Sequence, residues 1–176
     1  MTLPPPAKSF LEALAAGDRR AYGSLYDRLG DKLLRVAAAM LRSGADAEDA
    51  VQELFVNLAR NRQRFLAVED LDAYVFACLR HAIGGKLARA KTEESHLQRM
   101  AMQITVASEP ALPERDDVAA ALNSLPADQR EVVTLKIDGG LTFAQIAGVL
   151  KVSPNTAASR YRYALAKLRE WLGEQS

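Results

Sequence analysis

A single cysteine, Cys78, stands in the 176 residues, so no disulfide can close within the chain, and a reducing compartment is expected. Histidine is almost as scarce, with only His81 and His96. Cys78 and His81 are three residues apart, the spacing of half a metal site, but Cys78 falls on an apolar stripe where a buried thiol is the simpler reading. His96 lies where the helical period has faded. No glycine-rich phosphate loop, nucleophile elbow or zinc-type spacing occurs. No catalytic group, metal or cofactor is therefore expected, and the chain does not read as an enzyme. No run of about 18 apolar residues exists, so no membrane segment is expected. The opening "MTLPPPAKSF" lacks an apolar core of the signal-peptide kind, and the expected location is the cytoplasm. Strand-type alternation and internal repeats are missing as well. The net charge of +1 is silent about nucleic acid; only the distribution of charge bears on it.

What is present is helical. Ala, Leu, Arg and Glu dominate, with 49% hydrophobic and 26% charged residues. Ser9 and Glu12 have the spacing of a capping box for a short first helix that stops at Gly17. A longer helix, "RRAYGSLYDRLGDKLLRVAAAMLR", follows. A third starts at Asp46, where Ala47, Ala50, Val51, Leu54 and Leu58 repeat at helical spacing and mark a core face. In a fourth, Leu71, Tyr74, Val75, Cys78, Leu79 and Ala82 form one stripe, and Gly84-Gly85 is expected to weaken the helix. From Thr92 to about Glu114 the period fades. It resumes in "DDVAAALNSL" and "PADQREVVTLKI", the second with Pro126 at its first position and Gly139-Gly140 as its stop. The expected fold is all-α: two small helical domains, residues 8–91 and 115–174, joined by a flexible linker, 92–114.

The last stretch, "LTFAQIAGVLKVSPNTAASRYRYALAKLREWL", is the most informative. Thr142 and Gln145 have capping-box spacing, and Phe143, Ile146, Ala147 and Leu150 give a short amphipathic helix its buried face. Lys151-Val152 turns the chain; Ser153 caps the next helix and Pro154 begins it. That is a helix-turn-helix. At about 100° per residue, Ala157, Tyr161, Ala164, Leu165, Leu168 and Leu172 fall on one side of the second helix. Asn155, Ser159, Arg162 and Tyr163 fall on the other, with Thr156 and Arg160 flanking. Amide, hydroxyl and guanidinium groups suit base edges and phosphates in a major groove. Ser153 to Arg169 holds four basic residues and no acidic one, a local field that favours a duplex. An αα-hairpin with a merely solvated basic face is the plainer alternative.

Two faces of the first domain also stand out. Opposite the core stripe of the third helix lie Asp49, Gln52, Glu53 and Val56, with Asp46 and Glu48 nearby. Acids in a first turn suit the helix dipole; beside Val56 they also fit contact with a basic protein surface. The fourth helix is expected to turn Phe76 and Arg80 outward, followed by Lys86, Arg89 and Lys91. An aromatic beside basic residues can stack an unpaired base while holding phosphates, or can pack on a neighbouring helix.

In this order the segments resemble a known family. "DAEDAVQELFVNLAR" is similar to the core-polymerase-binding helix of extracytoplasmic-function (ECF) sigma factors. "LDAYVFACLRHAIGGKLARAK" resembles their promoter-melting segment, and "LPADQREVVTLKIDGGLTFAQIAGVLKVSPNTAASRYRYALAKLRE" their −35-reading domain. The chain departs from the family at Tyr74, where tryptophan is usual, at His81 for asparagine, at Gly85 for aspartate, and at Ala157, Ala158 and Tyr163 in the recognition helix. The resemblance implies promoter-specific initiation with core RNA polymerase. Asp46, Glu48, Asp49, Gln52, Glu53 and Val56 would meet the clamp helices of its largest subunit. Phe76, Arg80, Lys86 and Arg89 would hold the melted −10 strand. Asn155, Thr156, Ser159, Arg160, Arg162 and Tyr163 would read the −35 duplex. An anti-sigma factor is a partner the family often has, and nothing in the sequence identifies one. The alternatives are a helix-turn-helix regulator that binds duplex DNA without polymerase, and an interaction protein with no DNA contact.

Overall fold

A computed structural model describes residues 8–41, 43–101 and 117–174. Among them are eight α-helices and one short 3-10 helix, Arg62–Ala67. The α-helices are α1 (Lys8–Ala16), α2 (Arg19–Leu41), α3 (Gly44–Arg60), α4 (Leu71–Ala101), α5 (Asp117–Ser124), α6 (Ala127–Ile137), α7 (Phe143–Leu150) and α8 (Pro154–Glu174).

Local signals set most of the boundaries. Gly17 closes α1, and the Asp18 carboxylate accepts from the amides of Arg20 and Ala21 to open α2. Ser43 caps α3 by accepting from the Asp46 amide. Asp70 does the same for α4 at Ala73. The Ser9 expectation fails: α1 is already helical at Lys8, so Ser9 lies inside the helix rather than at its cap. The Gly84-Gly85 expectation fails too. Each glycine costs up to about 1 kcal/mol in a helix interior, yet α4 runs through both without a break and continues to Ala101, past the residue at which the sequence period fades.

The N-terminal bundle is built on α2 and α3. Leu25, Leu29, Leu33, Val36 and Ala37 of α2 face Ala47, Ala50, Val51, Leu54 and Leu58 of α3, all buried; the alanines let the two backbones approach. Phe65, fully buried, lies between Tyr22 and Tyr74, with ring centroids 6.2 and 5.6 Å away in edge-on geometry. Burial pushes the Tyr74 phenol up to about 12, helped by the adjacent Cys78 thiol. Burial likewise raises the Cys78 thiol, so it stays protonated and packs as a small apolar group rather than acting as a nucleophile.

The second bundle does not stand apart from the first. α7 packs along α4 and α6 touches α2. Val132, Leu135, Leu141, Ile146, Val149, Leu150 and Ala157 belong to the same apolar cluster as the residues of α2, α3 and α4. α6 is consequently buried on two sides. Val132 and Leu135 join the large cluster, while Val133 joins Leu125 and Ala164 beneath α5 and α8.

The helix-turn-helix is fixed from both ends. Gly140, at φ +67°, ends α6 in the left-handed region where a side chain is disfavoured. The Leu141 amide then returns to the Leu135 carbonyl. Thr142 and Gln145 form a complete capping box: Thr142 Oγ1 accepts from the Gln145 amide at 3.1 Å and Gln145 Oε1 accepts from the Thr142 amide at 2.9 Å. Ser153 Oγ accepts from the Thr156 amide at 3.0 Å and opens α8. The Phe143 and Tyr161 rings, 5.5 Å apart, clamp α7 to α8. Thr142→Ala is expected to lower stability to urea by about 1 kcal/mol. A loss of only a few tenths would show that the turn is held by its apolar contacts alone.

Candidate nucleic-acid and polymerase interfaces

Helix α8 presents the polar face expected of it. Asn155, Arg162 and Tyr163 are exposed and Ser159 is half-buried, on the side away from buried Ala157 and Ala164. Arg162 donates to Ser159 Oγ at 3.2 Å, which steadies a guanidinium that still faces solvent. Tyr163 is 64% exposed, too much for a packing residue, two turns beyond Asn155 on the same face. The Thr156 hydroxyl is engaged with Ser153 Oγ at 2.8 Å and belongs to the cap. Arg160 is held at 3.1 Å by Asp128, from the first turn of α6. Sequence reasoning missed Asp128, because nothing in the spacing pairs it with a residue more than thirty positions on.

The acidic face of α3 and the basic stretch of α4, assigned from sequence to different partners, lie against each other. Lys86 Nζ is 3.8 Å from Asp49 and Arg89 is 3.4 Å from Glu53. Arg89 also donates to the Gly85 carbonyl. Asp46, Glu48, Gln52 and Val56 remain exposed. Glu48 and Gln52 also line an open apolar groove of about 360 Å³ between α2 and α3, with Tyr26, Gly30, Leu34, Val51 and Phe55. Tyr26 is 55% and Val56 49% exposed. The Tyr26 and Phe55 rings meet across the groove, tilted at 59° with centroids 5.4 Å apart. The contribution of α2 was not read from the sequence. Its signal was apolar Tyr26 and Leu34 lying off the α2 core stripe.

One expected site residue is placed differently. Phe76 is not outward but fully buried. At about 100° per residue, Phe76, Arg80 and Leu87 share one side of α4. Arg80 Nε is 2.6 Å from a Glu131 oxygen of α6, with a second contact of 3.4 Å to the other oxygen. Leu87 lines a cleft with Ala127, Arg130 and Glu131. Phe76 lies on the wheel between Asp72, which pairs with Arg28 of α2, and Arg80, which reaches α6, and it is buried in the apolar cluster that both bundles share.

Among the described residues no helix is long and apolar enough to cross a membrane. Comparison with known proteins accounts for both halves of the chain. Residues 25–92 match the model of sigma-70 region 2, and residues 115–168 match that of sigma-70 region 4. The ECF RNA polymerase sigma factor SigK of Mycobacterium ulcerans (strain Agy99) is 28% identical, over 98% of each chain. The RNA polymerase sigma factor CarQ of Myxococcus xanthus is also 28% identical, over 93% of this chain and 96% of its own. Among solved structures, CnrH in complex with the cytosolic domain of CnrY matches with a TM-score of 0.72 at 23% identity, covering 96% of this chain and 98% of that one; at that identity the likeness is one of fold. The sigma factor RpoE of Bartonella quintana, in complex with the anti-sigma factor NepR, matches with a TM-score of 0.69 at 25% identity, covering 88% of this chain and 98% of that one. With a region 2 helical bundle and a region 4 helix-turn-helix in that order, and full-length relatives of the same kind, the chain belongs to the extracytoplasmic-function family of RNA polymerase sigma factors.

Proposed function

We propose how this sigma factor, which binds core RNA polymerase and directs promoter-specific initiation, divides the work among its faces. The α2–α3 groove and the acidic face of α3 beside it dock on the clamp helices of the polymerase largest subunit: apolar Tyr26 and Val56 supply apolar contact, and Asp46, Glu48, Asp49, Gln52 and Glu53 the polar surround. Arg80, Lys86 and Arg89 of α4 hold the phosphates of the melted −10 strand. The start of α8 enters the −35 major groove. The functional units are residues 8–91 and 115–174, with 92–114 spanning between them inside the polymerase. The chain works where the polymerase works, in the cytoplasm, as a regulatory subunit rather than a catalyst. An anti-sigma factor is a further partner, an assignment supported by the complex of RpoE with NepR.

The observation that carries this reading is the exposed polar tip of a capped α8. Ser153 fixes the helix start, and Asn155, Arg162 and Tyr163 project beyond it with no acidic residue among them. Arg160 and Arg162 take different parts. Arg160, aligned by Asp128 at the edge of the buried stripe, is placed for a phosphate. Arg162, central on the exposed face, is placed for a base. In transcription with core enzyme and a library randomised at −35, Arg162→Ala is expected to lose preference at one promoter position, worth about 1–3 kcal/mol. Arg160→Ala is expected to weaken all sequences alike and to flatten the salt dependence by about one unit of slope. Identical selection by wild type and Arg162→Ala, at the same stringency, would remove the base-reading role.

A further inference from the structure

We infer that the turn of the helix-turn-helix is itself a DNA contact: Lys151 takes a phosphate of the strand that borders the −35 groove, and Gly148, one turn earlier, lets that strand pass close to α7. The observation that carries this is a backbone conformation. Lys151 has φ +55° and ψ +46°, the left-handed region, and among the described residues it is the one non-glycine residue with positive φ. At the two other left-handed positions, Gly17 and Gly140, the chain uses glycine. The turn itself demands the conformation: the amides of Lys151 and Val152 both return to the Ala147 carbonyl, and Val152 packs on the large apolar cluster. An L side chain there is disfavoured, and glycine would take the same shape without that cost. The positive charge at the C-terminal end of α7 meets the helix dipole and offsets part of the cost, so the fold gains little from a lysine.

The side chain is nevertheless free for a partner. Lys151 is exposed, and its ammonium has neither a hydrogen bond nor an ion pair among the described residues. Other cations of the same bundle are engaged: Lys136 donates to the Leu141 carbonyl and lies over the Phe143 ring, and Arg160 is held by Asp128. Gly148 stands three residues before Lys151, a helical neighbour on the surface of α7. It is exposed, and a Cβ there would meet nothing within 4 Å. Neither packing nor a left-handed backbone calls for glycine at this position, and glycine in a helix costs stability relative to alanine. What a missing side chain does supply is close approach for another backbone. In a helix-turn-helix the first helix crosses the sugar-phosphate backbone while the second enters the groove, so their junction lies over the strand at the groove edge. An exposed cation at that junction, beside a bare stretch of helix, fits a phosphate and its strand.

This contact rests on the −35 role proposed for α8, and the test keeps the two apart. Holoenzyme is bound, over a range of salt concentrations, to a duplex that the wild type selects from the library randomised at −35. The melting temperature of each free chain is measured beside it. Lys151→Gly is expected to melt at or above the wild-type temperature, by up to about 4 °C. It is nevertheless expected to bind every −35 sequence more weakly, with a salt slope lower by about 0.9. Across a fourfold rise in salt the wild type then loses roughly 3.5-fold more affinity than the variant. Lys151→Arg is expected to keep the wild-type slope. Gly148→Leu, whose side chain starts in open space in the free chain, is expected to melt no lower than the wild type and to bind the duplex more weakly. A Lys151→Gly holoenzyme with the wild-type slope, where Arg160→Ala flattens it, overturns the Lys151 contact and leaves the −35 reading standing. Binding by Gly148→Leu as tight as by the wild type overturns the close passage beside α7. A Lys151→Arg holoenzyme with the slope of Lys151→Gly overturns the phosphate, because the charge alone would then not account for the loss. If Arg162→Ala and Arg160→Ala leave selection and slope untouched, the −35 reading falls, and this contact falls with it.

Discussion

Phe76→Ala is expected to cost about 3–5 kcal/mol of stability, the usual range for removing a fully buried phenylalanine ring. Against a total of about 5–15 kcal/mol for a domain, that is a large fraction. The loss has two parts. The ring's own apolar contacts disappear, and a cavity is left in the cluster that the two bundles share, which its neighbours fill only in part. Urea unfolding measures the sum. Phe76→Leu, which keeps most of the volume, is expected to recover more than half of it. If Phe76→Ala lost less than about 1 kcal/mol, the ring would not be buried in solution as described.

The sequence was most informative where one helix face is buried and the other is wet. The period of α3 names its core residues and the caps of α7 and α8 their starts, since Ala47, Ala50, Val51, Leu54 and Leu58 repeat at a helical spacing that few other structures satisfy, although α3 begins at Gly44, behind a Ser43 cap, rather than at Asp46. It was least informative where burial comes from the other domain. α6 has apolar residues on two sides, so Val132, Val133 and Leu135 give no single stripe, and only the assembled fold explains why. Phe76 was expected outward because it lies off the stripe of Leu71, Val75 and Leu79, and no pattern within α4 announces the apolar cluster, shared by both bundles, that buries it. The two glycines of α4 mark a further limit. A local preference of about 1 kcal/mol each was overridden by the packing of the preceding turns and by Lys86 and Arg89 reaching across to α3. Pairs such as Arg160–Asp128 and Arg80–Glu131 were invisible because each joins residues from different helices by geometry alone.

Reversing the acidic face of α3, beside the groove that α3 forms with α2, carries the other large effect. The double substitution Asp49→Lys/Glu53→Lys is expected to weaken binding to core polymerase by about 3–4 kcal/mol, two to three orders of magnitude in Kd, since like charges brought together at an interface cost several kcal/mol. Asp49 and Glu53 also pair with Lys86 and Arg89 within the chain, so a loss of affinity could arise from disturbing α4 rather than from meeting the partner. The magnitudes decide between the two. Asp49 is 64% and Glu53 39% exposed at the side chain, and ion pairs so placed contribute about 0–1 kcal/mol each. Breaking both therefore falls well short of the expected effect. Lys86→Ala removes the first pair from the other side while leaving the acidic face intact, and is expected to leave core affinity within about 0.5 kcal/mol of wild type. Tyr26→Ala tests the apolar centre of the same groove. Its ring lies in the open at 55% exposure, so its removal is expected to spare folding and to cost about 2 kcal/mol of binding, the scale at which an interface aromatic counts as an anchor. A titration in which the doubly reversed chain binds core as tightly as wild type, with Tyr26→Ala equally unaffected, would move the polymerase contact off α2 and α3 altogether.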